Sequence, residues 1–321
     1  MKINILINDG ISKEGKQKLL DYNFNIIDQH IKQDELINFI NTNNIAGILV
    51  RSATLIKKNI IDACSCLQLI GRGGVGMDNI DVEYAQNKGL HVINTPSASS
   101  QSVAELVFSH LFSMVRYTYH SNRTMPLEGD TVFQKLKKTY SKGTELKGKT
   151  IGIIGFGKIG TEVAKIAIGI GMKVLFYDPY IKDKKIELVF FNNKKIEIEL
   201  KCKELEYIMK SSDIITVHIP KQTKPLISKK ELKKMKQGVF LINTSRGGVI
   251  NEKDLIDALN TQHVKSVGLD VFEDEPKPNI KILMHDKISL SPHIGASTIE
   301  AQSRIGIELA EQINKKFNGK N

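Results

Sequence analysis

An α/β protein with two parallel sheets is the fold class that the sequence predicts, on three observations. The first hundred residues alternate apolar strand patterns with helical ones. The alternation resumes at Thr150, and this second run opens with a glycine turn between a strand and a helix. Strand–helix alternation places helices on both faces of a parallel sheet. A chain of 321 residues is long enough for about two domains, each with its own core.

The elements follow in order. Short apolar runs predict strands at 3–8, 24–27, 45–50, 67–70 and 90–94, with helical spacing at 13–22 and 33–41 between them. Thr95-Pro96 closes this run, and one long helix is expected from about Ser99 to His120, with Ser and Gln at its start. The second run predicts six strands, at 150–154, 173–177, 214–218, 239–243, 266–270 and 288–291. Residues 181–203, crowded with Lys and Glu, read as an irregular surface excursion. A last helix at 297–314 is too short for a domain of its own and is expected to pack on an existing one.

Composition removes several classes of function. The net charge of +11 is mostly a Lys excess scattered over helices and loops. No aromatic residues interleave it, and no helix-turn-helix or zinc spacing accompanies it, so a solvated surface is expected and not a nucleic-acid groove. No apolar run reaches the length of a membrane span, and the N-terminal strand is too short for a signal segment. A soluble cytoplasmic protein is therefore expected. Cys64, Cys66 and Cys202 lack metal-ligand spacing, so neither a metal site nor a disulfide framework is expected.

The glycine turn carries the first functional signal. Strand 150–154 runs directly into Gly155-Phe156-Gly157-Lys158-Ile159-Gly160, a helix follows to about Gly171, and strand 173–177 ends in Asp178. This is the dinucleotide-binding βαβ arrangement. Gly155 permits the turn, Gly157 lets the backbone approach a pyrophosphate, and Gly160 lets helix and strand pack closely. The phosphates meet a helix N-terminus, where free N–H groups and the dipole favour negative charge. Asp178 stands where a carboxylate can accept a hydrogen bond from a ribose 2′-OH. It would repel a 2′-phosphate, and Pro179 and Tyr180 offer no Arg to receive one, so NAD is expected over NADP.

The second signal lies after three later strands. Arg246 follows strand 239–243, Glu275 follows strand 266–270, and His293 follows strand 288–291. Ligands of open α/β sheets bind outside the carboxyl ends of the strands. Hydride transfer at an alcohol carbon also needs a proton acceptor or donor on the oxygen, a role that suits His. A carboxylate such as Glu275 can fix the ring and favour its charged form. A guanidinium such as Arg246 grips a substrate carboxylate with two parallel bonds.

These segments resemble the D-isomer-specific 2-hydroxyacid dehydrogenases. The likeness runs through Val50-Arg51-Ser52-Ala53-Thr54, through Gly71-Arg72-Gly73-Gly74-Val75-Gly76-Met77-Asp78-Asn79-Ile80-Asp81, and through Asn94-Thr95-Pro96, Ala104-Glu105-Leu106 and Gly143-Thr144-Glu145-Leu146. It continues in residues 243–249, 269–276 and 292–298. The resemblance implies two Rossmann-like domains with a cleft between them. Residues 1–98 with 294–321 would form a flavodoxin-like substrate domain, and 99–293 an NAD-binding doubly wound parallel sheet. It implies Arg246 as carboxylate anchor, His293 as acid/base and Glu275 as its partner. It places Val75, Lys158, Ile159, Asp178, Ile219, Ser245, Asp270, Gly295 and Ala296 around NAD beside the three glycines. Arg51, Ser52, Arg72, Gly73 and Gly74 would bind substrate together with Arg246 and His293, and region 99–149 would form the arm of a homodimer. The chain departs from the family pattern in a short loop after Pro220, a long charged segment after Asp178, and the absence of Trp from 125–132.

Within the family the likeness is strongest to members that oxidise D-3-phosphoglycerate to 3-phosphohydroxypyruvate, the first step of serine synthesis. That substrate carries a carboxylate and a phosphate. Arg246 can hold one, and Arg51 and Arg72 can hold the other or make structural salt bridges instead. Reduction of glyoxylate or hydroxypyruvate is the alternative within the family. An NAD-sensing interaction module without turnover is the alternative outside it. With few residues beyond the last expected helix, a C-terminal regulatory domain and serine feedback are not expected.

Overall fold

The structure, a computed structural model, describes residues 2–319. The chain divides into two compact units, Met1–Ser102 with Ala296–Asn321, and Val103–Gly295.

In the first unit β1 (Asn4–Ile7), β2 (Asn25–Asp28), β3 (Ile45–Val50), β4 (Leu69–Arg72) and β5 (His91–Asn94) form a parallel sheet of order β2-β1-β3-β4-β5. That is a flavodoxin-like order. Its central strand, Ile-Ala-Gly-Ile-Leu-Val, is apolar throughout because both faces of a parallel sheet are covered. Helices α1 (Lys13–Asp21), α2 (Leu36–Thr42), α3 (Lys58–Ala63) and α4 (Val82–Asn87) connect the strands. One face buries Leu6, Ile48, Val50 and Ile70 against Leu36, Ile40, Ile60 and Ile61. The other buries Ile5, Ile7, Leu49 and Leu69 against Leu19 of α1 and Ile305, Leu309, Ala310 and Ile313 of the final helix.

The second unit begins in α5 (Ser100–Arg116) and continues through α6 (Thr118–Glu128) and α7 (Phe133–Tyr140). The single helix expected to His120 instead ends at Arg116. Tyr117 takes a left-handed conformation, φ 56°, and turns the chain. The Tyr117 and Tyr140 rings then pack 6.1 Å apart, and Thr124 Oγ1 lies 3.0 Å from Tyr140 Oη. Tertiary contacts between helices here prevail over the local pattern.

The sheet of this unit is β6 (Thr150–Ile154), β7 (Lys173–Tyr177), β10 (Ile214–Val217), β11 (Val239–Asn243), β12 (Val264–Leu269) and β13 (Ile288–Leu290), all parallel, in the order β13-β12-β11-β10-β6-β7. Helices α8 (Lys158–Gly169), α9 (Leu205–Ser211), α10 (Lys229–Lys234), α11 (Glu252–Asn260) and α12 (Ile280–Leu283) lie between the strands. The strand order reverses between β6 and β10, which makes their carboxyl ends the ligand crevice of such a sheet.

Residues 181–203 are not irregular. β8 (Asp183–Val189) and β9 (Lys195–Lys201) form an antiparallel hairpin, with Ile186 opposite Ile198 and Leu188 opposite Ile196. Ile186, Leu188 and Leu200 pack on the core beside α8. On the other face Lys185–Glu197 and Lys195–Glu187 pair across the strands. The final helix, α13, spans Ile299–Asn318, longer than expected at its C-terminal end, and Thr298 Oγ1 caps it by accepting from Ala301 N–H.

Candidate active site

The glycine turn sits at the switch point. Gly155 has φ +91°, and its N–H donates to Tyr177 O (2.9 Å). A side chain at 155 would overlap the backbone carbonyl of His218, whereas the space above Gly157 is open. Gly157 is the N-cap of α8 and makes no side-chain cap, so the first amides of that helix face the open space. Gly160 is buried, with Lys158 exposed and Ile159 half-buried before it. This cradle suits a pyrophosphate.

Asp178 is committed more heavily than its sequence position suggests. Oδ2 accepts from Phe156 N–H (2.8 Å), and Oδ1 accepts from Tyr180 N–H (2.9 Å) and Ile181 N–H (3.2 Å). A carboxylate has about four acceptor positions, so one remains on Oδ2. Lys184 of the hairpin stands 6.0 Å from the Phe156 ring centroid, beside the turn.

Three loops at the strand ends bring Arg246, Glu275 and His293 into one neighbourhood. After β11, Asn243 Oδ1 accepts from Ser245 N–H (3.0 Å) and Oγ–H (2.7 Å), and Asn243 Nδ2 donates to Arg246 O (2.9 Å). That buried amide winds the loop and projects Arg246, whose Nη1 donates to Ser245 O (2.6 Å). Gly247 lies so close to the next loop that a side chain there would overlap Phe272 O.

After β12, Glu252 at the start of α11 and Glu273 exchange bonds: Glu273 N–H donates to Glu252 Oε1 (2.8 Å), and Glu252 N–H to Glu273 Oε1 (2.9 Å). Burial pushes the Glu252 carboxyl up; the bond from Glu273 N–H works against it, and the charges of Glu273 and Asp274 add to it. Glu275 Oε1 accepts from Phe272 N–H (3.0 Å), and Oε2 lies 2.7 Å from His293 Nδ1. Burial alone would raise the Glu275 carboxyl. The bonds from His293 and Phe272 and the charge of Arg246 outweigh it and hold the group below its ordinary value.

After β13, His293 takes φ 54°, unusual for a residue with a side chain. Asp270 enforces it. Oδ1 accepts from Ser291 Oγ–H (2.6 Å) and Ile294 N–H (2.8 Å), and Oδ2 accepts from Gly295 N–H (2.9 Å). With Nδ1 on Glu275, the ring of His293 keeps Nε2 for another partner.

Of the other expected residues, Ser245 lies in the Arg246 loop and Ile219 follows β10 after His218, which burial pushes down to about 3. Val75 and Ala296 belong to the first unit. So do Arg51 and Arg72, which stand at the ends of β3 and β4, where Val50 pairs with Arg72. Arg51 N–H donates to Asp9 Oδ2 (2.6 Å), and Thr54 donates to Asp9 through N–H (3.2 Å) and Oγ–H (2.6 Å). Asn79 Nδ2 donates to Arg51 O and Thr54 O, both 2.7 Å. The loop holding Ser52 is thus clamped at both ends. The Arg72 guanidinium lies over Gly74, next to Gly73. Asp9 escaped the sequence reading, although an acid directly after a buried strand was a visible signal. Among the described residues no cluster suited to a metal occurs, and no helix is long and apolar enough to cross a membrane. A recess of about 500 Å³ lies at the opposite end of the sheet, among Tyr117, Tyr140, Phe240, Lys265 and Lys287.

The family model described as D-isomer specific 2-hydroxyacid dehydrogenase, NAD binding domain, matches residues 108–295, and the chain belongs to that family. It is accordingly an NAD-dependent oxidoreductase of D-2-hydroxy acids. A hydroxypyruvate reductase of Thermotoga maritima is 39% identical over 322 residues, 98% of this chain and 99% of the relative. A D-3-phosphoglycerate dehydrogenase of Bacillus subtilis is 36% identical over 314 residues, 96% of this chain but 56% of the relative. The chain therefore spans little more than half of that second protein. Among solved structures, an NAD⁺-bound 3-phosphoglycerate dehydrogenase from Entamoeba histolytica superposes with a TM-score of 0.77 at 27% identity, covering 100% of this chain and 97% of the other.

Proposed function

We propose that this dehydrogenase oxidises D-3-phosphoglycerate to 3-phosphohydroxypyruvate. What supports the reading is the pair of arginines at neighbouring strand ends of the first unit, Arg51 directly after β3 and Arg72 closing β4. A phosphate is a group that paired guanidiniums receive.

Bound NAD supplies the hydride acceptor. The amides at the start of α8 and the open surface of Gly157 would hold its pyrophosphate, and Asp178 would take a ribose hydroxyl. The remaining work falls to side chains. Arg246 grips the C1 carboxylate and orients C2. His293 Nε2 accepts the proton of the C2 hydroxyl as that carbon becomes a carbonyl. Glu275, on Nδ1, fixes the ring and compensates the charge it gains.

Replacing Arg51 or Arg72 by Ala tests the substrate. KM for 3-phosphoglycerate is expected to rise about tenfold more than KM for an unphosphorylated 2-hydroxy acid, the size of a charge-assisted contact. Equal losses on both substrates would reduce these residues to supports of the fold. Reduction of hydroxypyruvate is the second reading, favoured by the full-length match to the Thermotoga relative. A panel of both substrates in both directions separates the two.

Two predictions follow from the site. Glu275→Gln is expected to lower kcat about tenfold, because an amide on Nδ1 does not compensate the charge that the ring gains. Steady-state kinetics check this, and wild-type kcat would detach Glu275 from proton transfer. Glu275 itself is held low, so its contribution to stability is present at neutral pH and is lost as pH falls below its ordinary value of 4.5.

NADP is expected to have a kcat/KM about 10²-fold or more below that of NAD, since a 2′-phosphate would meet the Asp178 carboxylate at the same hydroxyl position. Equal values would place Lys184 as the group that receives the phosphate. The homodimer is proposed on the exposed Phe112, Met125, Leu127 and Phe133 of α5–α7, and sedimentation equilibrium of the purified chain distinguishes one copy from two.

A further inference from the structure

We propose that His110 is a positioning residue for the reaction: through Ser291 and Asp270 it fixes the turn that carries His293. The proposal rests on the reading of His293 as the proton-transfer group.

His110 lies in the middle of α5 and is 4% exposed. Both ring nitrogens are engaged by the last strand and its continuation: Nδ1 lies 2.8 Å from Ser289 Oγ, and Nε2 lies 2.9 Å from Ser291 Oγ. The ring enters this place because β12 offers Gly268 there. A side chain at 268 would press on His110 Cβ and Cγ.

The donors and acceptors admit one arrangement. An ionised carboxylate only accepts, so the Ser291 proton belongs to Asp270 Oδ1, 2.6 Å away. Ser291 Oγ must then accept from His110 Nε2–H. In a neutral ring Nδ1 is left as an acceptor, and it takes the Ser289 hydroxyl. Burial pushes His110 towards the neutral form, against the pull of Asp270. Hydrogen bonds therefore run in one direction from Ser289 through His110 and Ser291 to Asp270.

Asp270 is 1% exposed and collects this chain with the N–H groups of Ile294 and Gly295. The turn is thus fastened before His293, at Ser291, and after it, at Ile294 and Gly295. A left-handed non-glycine residue is strained and persists only where its surroundings over-determine it. His293 is such a residue. His110 touches neither His293 nor Glu275 in the contacts described above, so its effect on proton transfer is indirect.

The test uses the full chain with His110→Leu, which removes both ring bonds, and Ser291→Ala, which cuts the same chain with almost no change of volume and so stands in if the first variant folds poorly. His293→Ala is measured in parallel. Each of the first two variants is expected to lower kcat about tenfold, the scale of a displaced catalytic group, with KM for NAD within about twofold of wild type. Hydrogen exchange at Ile294 and Gly295 is expected to quicken about tenfold in both, a readout independent of turnover. The double variant loses no more than the worse single, because both cut one chain. Wild-type kcat and exchange in Ser291→Ala, or losses that multiply in the double variant, would overturn the proposal. Full turnover in His293→Ala would instead sink the reading of His293 itself, and the exchange rates would still report whether the chain holds the turn.

Discussion

His293→Ala lowers kcat by about 10²-fold or more, the usual loss of a general acid/base, while NAD affinity stays close to wild type. The expectation comes from the division of labour at the strand ends. The cradle proposed for the pyrophosphate consists of Gly155, Gly157 and the amides of α8, apart from the His293 side chain. The proposed proton transfer, by contrast, has one ring, held through Nδ1 by Glu275 at 2.7 Å. Steady-state rates with the preferred hydroxy acid, together with a fluorescence titration of NADH, check both halves. Near-normal turnover would remove His293 from the mechanism. A parallel collapse of NADH binding would show that the substitution damages the unit and not the chemistry.

Gly247→Ala destabilises the protein by about 1–3 kcal/mol, the range for overpacking a closed site, and lowers kcat/KM by about 10²-fold. A methyl group at 247 would overlap the Phe272 carbonyl, a backbone atom that no rotamer change can clear. Either the Arg246 loop or the Glu275 loop must move. Phe272 N–H is also the donor to Glu275 Oε1, so the displacement reaches the partner of His293. Gly169→Ala is the control, since nothing lies within 4 Å of a Cβ there. Denaturant unfolding and kinetics of the two variants make the comparison, and equal behaviour would show that the loops yield without cost.

Much of this was legible in the chain because strand ends are. Most strands of the two parallel sheets are apolar runs closed by a polar residue, so Asp178, Arg246, Glu275 and His293 could be assigned to strand ends by counting. The hairpin was missed although Lys195–Lys201, and the middle of Asp183–Val189, alternate apolar and charged residues with period two. Its Lys and Glu content resembled a loop, and only the packing of Ile186 against the core separates the cases. The break at Tyr117 carried no glycine or proline and depends on Tyr140, distant in sequence. How fully Asp178 and Asp270 are engaged by backbone N–H groups was beyond reach for a similar reason. Their positions follow from the strands, but their partners follow from loops that fold back on them.

The helix α13 closes one face of the first sheet, where Ile305, Leu309 and Ile313 cover Ile5, Ile7, Leu49 and Leu69. On a ribosome this order matters. The strands Asn4–Ile7 to His91–Asn94 are synthesised before the unit Val103–Gly295, yet their cover follows it. Until then the nascent sheet leaves the part of its aliphatic face that α13 covers open, the kind of surface that chaperones hold and that drives misassembly between neighbouring chains. The unit Val103–Gly295 is contiguous and can mature while still tethered. The unit that holds β1 to β5 is therefore the one expected to finish folding second.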